Sequence, residues 1–297
     1  MKRRALGIGI ALVLWTGVAS IFLAENAVHI WEPAHVGDAE AGMIARQGDA
    51  SWKPVRITAD DGAPLDAWLL IPREPNGGGV IVTHGVGDTR MAGSGQAAFL
   101  LRAGYAVLMP DSRAHGTSGG GIVTYGVREA GDIHRWADVL LREPGVTRLY
   151  GMGQSMGAAV LLQSLACERR FRAVVADCAF VTFEEIAYDR LAQHGIRSRT
   201  LSWPLIETGL TYTRVRYGVN LWHAAPRDAL RASRTPVLLI HGTADDNIPL
   251  RHSRELHAAS PSNTELWEVP HAGHVGSLGV EPEQYRKRVL DWFDRHR

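Results

Sequence analysis

Short apolar runs bounded by turn residues recur along most of the chain. Gly79-Val80-Ile81-Val82-Thr83, Tyr105 to Pro110, the stretch ending in Tyr150-Gly151-Met152-Gly153, Ala173 to Ala176 and Pro236-Val237-Leu238-Leu239-Ile240-His241 are nearly continuous in apolar character. That is the pattern of strands buried on both faces of a sheet. Glu265 to Pro270 alternates more openly. Two earlier segments flank Asp60-Asp61-Gly62, a turn sequence, and read as an antiparallel hairpin. Eight strands are expected, near 54–60, 64–71, 79–84, 105–110, 148–153, 172–177, 236–241 and 265–270. Helical spacing fills most of the intervals, so the fold class is α/β: a mostly parallel sheet with helices on both faces. Pro282 through Arg297 closes the chain as an amphipathic helix with Tyr285, Val289, Leu290 and Phe293 on one side.

Two regions break the alternation. Residues 179–235 are too long for a simple strand connection and carry helical segments around Phe183 to His194 and Trp203 to Tyr212, so they read as a cap. Its apolar residues Phe180, Phe183, Trp203, Leu205, Tyr212 and Trp222 are candidates to line a pocket. At the other end, Lys2-Arg3-Arg4 precedes Ala5 to Ala24, a stretch without a charge and long enough to cross a bilayer as a helix. An uncleaved signal anchor is expected; cleavage at Val18-Ala19-Ser20 is the first alternative, although Ile21-Phe22-Leu23-Ala24 prolongs the apolar run past that site, and a buried globular helix is the other. In the anchor and signal cases the basic flank stays in the cytoplasm and the body is exported, with Trp31 at the interface. Residues 1–24 thus form an anchor or signal, 25–51 a polar connector without clear periodicity, and 52–297 one domain with its cap.

Composition adds little beyond size. The 297 residues, 45% hydrophobic and 21% charged, suffice for one large core. The net charge is +1, and three of the basic residues stand in the first turn, so no nucleic-acid footprint is expected. Cys167 and Cys178 should lie toward opposite ends of the sheet, too far apart for a disulfide. Packing is their expected role, with Cys178 also at a pocket rim.

The chemistry begins at Gly153-Gln154-Ser155-Met156-Gly157, a G-x-S-x-G elbow between a strand and a helix. Such a turn pushes the Ser155 hydroxyl out at its tip and leaves the Met156 N–H free at a helix start, where it can receive an oxyanion. A serine there needs a base, and the base needs a carboxylate. Acids follow the fifth parallel run at Asp245-Asp246, and imidazoles follow the last strand at His271 and His274.

Four motifs together resemble the α/β-hydrolase fold serine esterases, from about Trp52 to the C-terminus: His84-Gly85-Val86-Gly87; Asp111-Ser112-Arg113-Ala114-His115-Gly116 with Ser118; the Ser155 elbow; and His241-Gly242-Thr243-Ala244-Asp245 with Gly273-His274. The resemblance implies Ser155 as nucleophile, His274 as general base and acid, Asp245 as orienting carboxylate, and the Val86 and Met156 N–H groups as oxyanion donors. Asp246 and Asp177 remain alternatives for the acid, and His271 competes with His274. His84 and His115 read as braces for nearby loops. None of the thirteen histidines forms an H-E-x-x-H or comparable cluster, so no metal and no cofactor is implied.

The expected reaction is hydrolysis of small-molecule or lipid-like carboxylic esters through an acyl-enzyme. Acyl transfer or amide cleavage on the same triad is the alternative, and a non-catalytic, membrane-tethered binding module is a third. Glu184-Glu185 raises an exopeptidase possibility, because paired glutamates hold a free amino terminus in some related enzymes. Oligomeric state is left open.

Overall fold

In the computed structural model, which describes the backbone of residues 2–30 and 36–297 and the side chains of 7, 14–30 and 36–297, eight strands form one sheet. They are β1 (Ala50–Thr58), β2 (Pro64–Pro72), β3 (Gly78–Thr83), β4 (Ala106–Pro110), β5 (Arg148–Gln154), β6 (Phe171–Asp177), β7 (Val237–Gly242) and β8 (Thr264–Val269), in the spatial order β1-β2-β4-β3-β5-β6-β7-β8. β2 runs antiparallel to β1 and β4; every other neighbouring pair is parallel. The β1–β2 turn closes as expected, with Gly62 at φ 83° and its N–H on the Ala59 carbonyl at 2.9 Å.

The helices are α1 (Lys2–Val28), α2 (Asp38–Gln47), α3 (Ser94–Arg102), α4 (Glu129–Leu141), α5 (Met156–Ser164), α6 (Phe183–Gln193), α7 (Arg199–Tyr217), α8 (Pro226–Ala232), α9 (Arg251–Ala259), α10 (Ser277–Val280) and α11 (Pro282–Arg295). Strand alternation splits the core between the two faces. Ile81, Leu149, Val174 and Leu239 pack with Trp136 of α4, Leu161 of α5 and Leu256 of α9. Val80, Tyr150, Val175 and Leu238 pack on the other side with Ile44 of α2, Leu100 of α3 and Phe293 of α11. Covering both faces is why the central strands read as continuous apolar runs.

Three expectations need adjustment. The stretch 25–51 contains the end of α1, the start of β1 and all of α2, whose Ala41, Ile44 and Ala45 are buried. Period-3.6 patterning was hidden there by the shortness of the helix, which puts only three residues into the core. On α11 the buried face is Tyr285, Val289, Trp292 and Phe293, with Leu290 only partly covered. Among the described residues no helix is long and apolar enough to cross a membrane. Much of the expected anchor, Ala5 to Ala24, has side chains outside the described residues, as does Trp31 altogether.

Between β6 and β7, helices α6 and α7 build a third apolar cluster over the C-terminal ends of the strands, joined by Val28 of α1 and Ile248. α8 belongs elsewhere: its Leu230 packs in the main body with α5 and α9. Ligands in open α/β sheets sit beyond the carboxyl ends of the strands, which is where this cluster lies.

Candidate active site

β5 ends at Gln154 and α5 begins at Met156, leaving Ser155 alone between them at φ 53°, ψ −118°. That conformation is strained for any residue with a Cβ. The Ser155 N–H is tied to the Asp177 carbonyl on neighbouring β6 at 2.8 Å, and the turn packs backbone against backbone. A Cβ on Gly157 would sit 2.6 Å from the His84 carbonyl oxygen, and one on Gly153 would sit 2.7 Å from the Ala158 nitrogen. The two motif glycines therefore let the strand reverse into a helix with the serine at its apex.

The loops after β5, β7 and β8 bring three side chains together. His274 Nε2 lies 2.9 Å from Ser155 Oγ, and His274 Nδ1 lies 2.8 Å from Asp245 Oδ2. With its proton assigned to Nδ1 by the carboxylate, the imidazole presents a bare Nε2 to the hydroxyl. Such a relay can take the serine proton as the oxygen attacks and return it to a leaving group.

Asp245 is held from every side. Its Oδ1 accepts the N–H groups of Asn247 and Ile248, both at 2.9 Å, and its Oδ2 also faces His241 Nε2 at 3.3 Å. Burial pushes the Asp245 carboxyl up, but hydrogen bonds from His241 and His274, the His274 charge and the Ile248 N–H outweigh it and hold it well below the usual carboxylate range. His241, fully buried, accepts from or donates to Ser253 Oγ at 2.7 Å through Nδ1 and reaches the Ile248 carbonyl at 2.8 Å through Nε2. Since a carbonyl only accepts, the proton sits on Nε2, and Nδ1 takes the Ser253 hydroxyl proton.

The competing candidates fall away from this relay. Asp246 is exposed, and its carbonyl, not its carboxylate, is used by Gln193 at 2.7 Å. His271 is exposed at φ 62° on the turn after β8. Asp177 is fully buried beside Cys178 and accepts the Tyr285 hydroxyl at 3.0 Å. Burial drives its carboxyl up to about 6.

The loop after β3 is clamped by two imidazoles. His84 Nε2 accepts the Ser112 N–H at 3.0 Å while its Nδ1 proton goes to the Gly85 carbonyl at 2.7 Å. His115 Nε2 accepts the Gly87 N–H at 3.0 Å, and its Nδ1 proton goes to the Arg113 carbonyl at 2.9 Å. Each ring uses one nitrogen as acceptor, so each is neutral; burial lowers both, His84 to about 3. The Val86 N–H of the clamped loop and the Met156 N–H at the start of α5 have no hydrogen-bond acceptor among the described residues. Both residues line the cavity that holds Ser155.

Comparison with known proteins places this arrangement. The model of the prolyl oligopeptidase family matches residues 91–297, which take in the elbow, Asp245 and His274. The chain belongs to the prolyl oligopeptidase family. It is an α/β-hydrolase fold serine hydrolase. YqkD of Bacillus subtilis, an uncharacterized protein, is 30% identical over 72% of this chain and 70% of its own length. YfhR of Escherichia coli, also uncharacterized, is 25% identical over 82% of this chain and 81% of its own. Among solved structures, the Pyrococcus furiosus esterase Pf2001 superposes with a TM-score of 0.69 at 25% identity, covering 89% of this chain and 99% of that one.

In this member of the prolyl oligopeptidase family, a cavity of about 270 Å³ opens on Ser155. Its walls are mostly aliphatic and aromatic, and among the described residues none that lines it is acidic. Phe180, Phe183 and Leu205 line it as expected. Trp203 does not: it is 58% exposed on the far side of α7. Tyr212 and Trp222 also lie outside the lining, Tyr212 because its hydroxyl is bonded to Glu25 at 2.5 Å. Cys178 is buried at φ 56° behind the site and is absent from the rim, and Cys167 is exposed; neither forms a disulfide.

Sequence reasoning missed His241 as a partner of Asp245, although it opens the motif that carries the acid. It also missed Arg190 and Tyr125, and the α1 residues Ser20, Leu23, Ala24 and Ala27, all of which line the cavity. The only signal for the α1 residues was an i, i+3, i+4, i+7 spacing inside an otherwise apolar run, where every face looks alike. Cys178, His241 and Asp245 form the one cluster of metal-ligating atoms found among the described residues. Both His241 nitrogens and both Asp245 oxygens already hold hydrogen bonds or an ion pair there.

Proposed function

We propose that this protein is a carboxylic-ester hydrolase that works through an acyl-enzyme. Ser155 attacks the ester carbonyl as His274 takes its proton; the Val86 and Met156 N–H groups receive the oxyanion; His274, oriented by Asp245, protonates the departing alcohol; and water repeats the sequence to release the acid. The observation that carries the ester reading over the peptidase one is the cavity: apolar walls meeting at Ser155 with, among the described residues, no carboxylate in the lining to bind a peptide amino terminus. Glu185 is instead bonded to Arg199 at 2.5 Å, and Glu184 and Glu185 are both outside the lining. The esterase Pf2001 supports the same choice, whereas YuxL of Bacillus subtilis, named as an uncharacterized peptidase, is 24% identical over 82% of this chain but only 38% of its own length.

In this reading residues 52–297 are the catalytic domain, α6 and α7 are its cap, and α1 tethers the body to a membrane from the exported side. The tether is supported by Lys2-Arg3-Arg4 before the uncharged run and by the outward face of α1, where Leu14, Trp15, Val18 and Phe22 are 64–69% exposed. Hydrolysis of p-nitrophenyl esters from acetate to palmitate, alongside Ser155→Ala, tests the chemistry. Turnover lost in the variant is expected; a folded wild type that cleaves amides and no ester would overturn it. Retention in the pellet after alkaline carbonate washing tests the tether.

A further inference from the structure

The cavity at Ser155 is not built by the catalytic body and cap alone. Ser20, Leu23, Ala24 and Ala27, one face of α1, form a wall of it together with Leu205 and Gly209 of α7. The exposed Leu14, Val18 and Phe22 lie on the other face of the same helix. α1 is seated there by specific bonds. Tyr212 and Tyr217 of α7 both donate their hydroxyls to Glu25, at 2.5 Å and 2.7 Å. Tyr125, itself a cavity residue, donates to the Ala27 carbonyl at 2.5 Å, and the Val123 N–H donates to the Val28 carbonyl at 2.8 Å. A Cβ on Gly209 would fall 3.3 Å from the Ser20 carbonyl oxygen, so the two helices approach closely enough that even an alanine there would press on α1. Val28 is 1% and Ser20 0% exposed. A segment that served only as leader or tether would need none of this.

We propose that Ser20–Val28 of α1 is a specificity-determining part of the active site: Ala24 and Ala27 gauge how far a linear aliphatic acyl chain runs along the wall that α1 and α7 build together. The inference rests on the serine hydrolase reading above. The Ser20 hydroxyl is already spent on the Thr16 carbonyl at 2.7 Å, so what this wall offers a substrate is apolar surface and small side chains. The pair Tyr212 and Tyr217, holding the charged Glu25, fixes how α1 is rotated and hence which side chains face the chain.

The test uses the full chain in mild detergent and a decyl fluorophosphonate bearing a terminal diazirine. Ser155 Oγ forms the bond to phosphorus, fluoride leaves, and the serine proton passes to His274, so labelling requires a reactive serine but no ester cleavage. After photolysis, cross-links mapped by mass spectrometry are expected in Ser20–Val28. Cross-links confined to other segments overturn the inference. In parallel, Ala24→Phe should lower the ratio of decyl to ethyl fluorophosphonate labelling rates at least tenfold, while Val215→Ala, on the exposed side of α7, should leave that ratio where it is. A ratio unmoved by Ala24→Phe sinks the gauge and leaves the esterase reading standing. Labelling with the expected chain-length response but no hydrolysis of any ester sinks the esterase reading and leaves the gauge. Failure to label Ser155 at any chain length overturns both.

Discussion

The His115 ring, on the loop after β4, accepts the Gly87 N–H at 3.0 Å and so holds the loop after β3 that carries Val86. Its second nitrogen is anchored on the Arg113 carbonyl at 2.9 Å, inside a segment that folds tightly back on the Asp111 carboxylate. In the proposed mechanism a clamp of this kind keeps the Val86 N–H aimed before the oxyanion exists. His115→Ala should lower kcat about tenfold to a hundredfold, less than outright loss of an oxyanion donor, with a much smaller change in KM. Steady-state kinetics on a short p-nitrophenyl ester decides it. An equal fall in kcat and melting temperature, cured by stabilising additives, would mean that the ring serves only folding.

Asp245→Asn tests the carboxylate without changing shape. The amide keeps an oxygen for the Asn247 and Ile248 N–H groups and turns its NH₂ toward His274, which must then carry its proton on the nitrogen facing Ser155. A fall in kcat of roughly 10³- to 10⁴-fold is expected with the fold intact. Asp246→Asn, one residue away and exposed, should stay within about twofold because surface changes without partners are nearly silent. If Asp246 proves the more damaging of the two, the relay described here is misassigned.

The elbow glycines should be intolerant for a steric reason. Gly157→Ala drives a Cβ to 2.6 Å from the His84 carbonyl, where neither backbone has room to retreat. Destabilisation of about 1–3 kcal/mol or more is expected, together with loss of activity. Gly273→Ala, beside His274 but with nothing within 4 Å of the added carbon, should be nearly neutral in stability. Urea unfolding of the two variants side by side separates crowding from proximity to the site.

These contrasts also mark how far the sequence could be read. Strand positions such as those of β3, β5 and β6 were legible because burial on both faces leaves apolar runs between turn residues, and the Ser–Asp–His order was legible because each loop follows its strand. Register and long-range approach were not. Nothing local to Glu25 announces Tyr212 and Tyr217, which lie nearly two hundred residues away, and the uniform apolar character of Ala5 to Ala24 conceals which side of α1 meets the cavity. Trp203 and Tyr212 were equally good pocket candidates by composition; only the rotation of α7 puts one in solvent and the other against Glu25. Trp292 escaped notice because the face of α11 is broader than a minimal stripe.

Asp177 gives the last test, through pH. It is fully buried with the Tyr285 hydroxyl and the Cys178 thiol directed at it, and burial, outweighing these bonds and the nearby His241 and His274, raises its carboxyl from 3.8 to about 6. Between those values the folded protein holds a proton that the unfolded chain has released, so stability falls as pH rises through this interval. The contribution is present below about pH 4 and is lost above about pH 6, and a shift of that size corresponds to roughly 3 kcal/mol. Asp132 is raised similarly by burial, but it is common to both proteins and cancels in a comparison. Asp177→Asn removes the ionisation while keeping the shape. Its stability relative to the wild type should therefore improve from pH 4.5 to pH 7.5, measured as the difference between urea midpoints at the two values. A difference that stays constant, or moves the other way, would show that the carboxylate ionises in the folded protein as easily as it does in water.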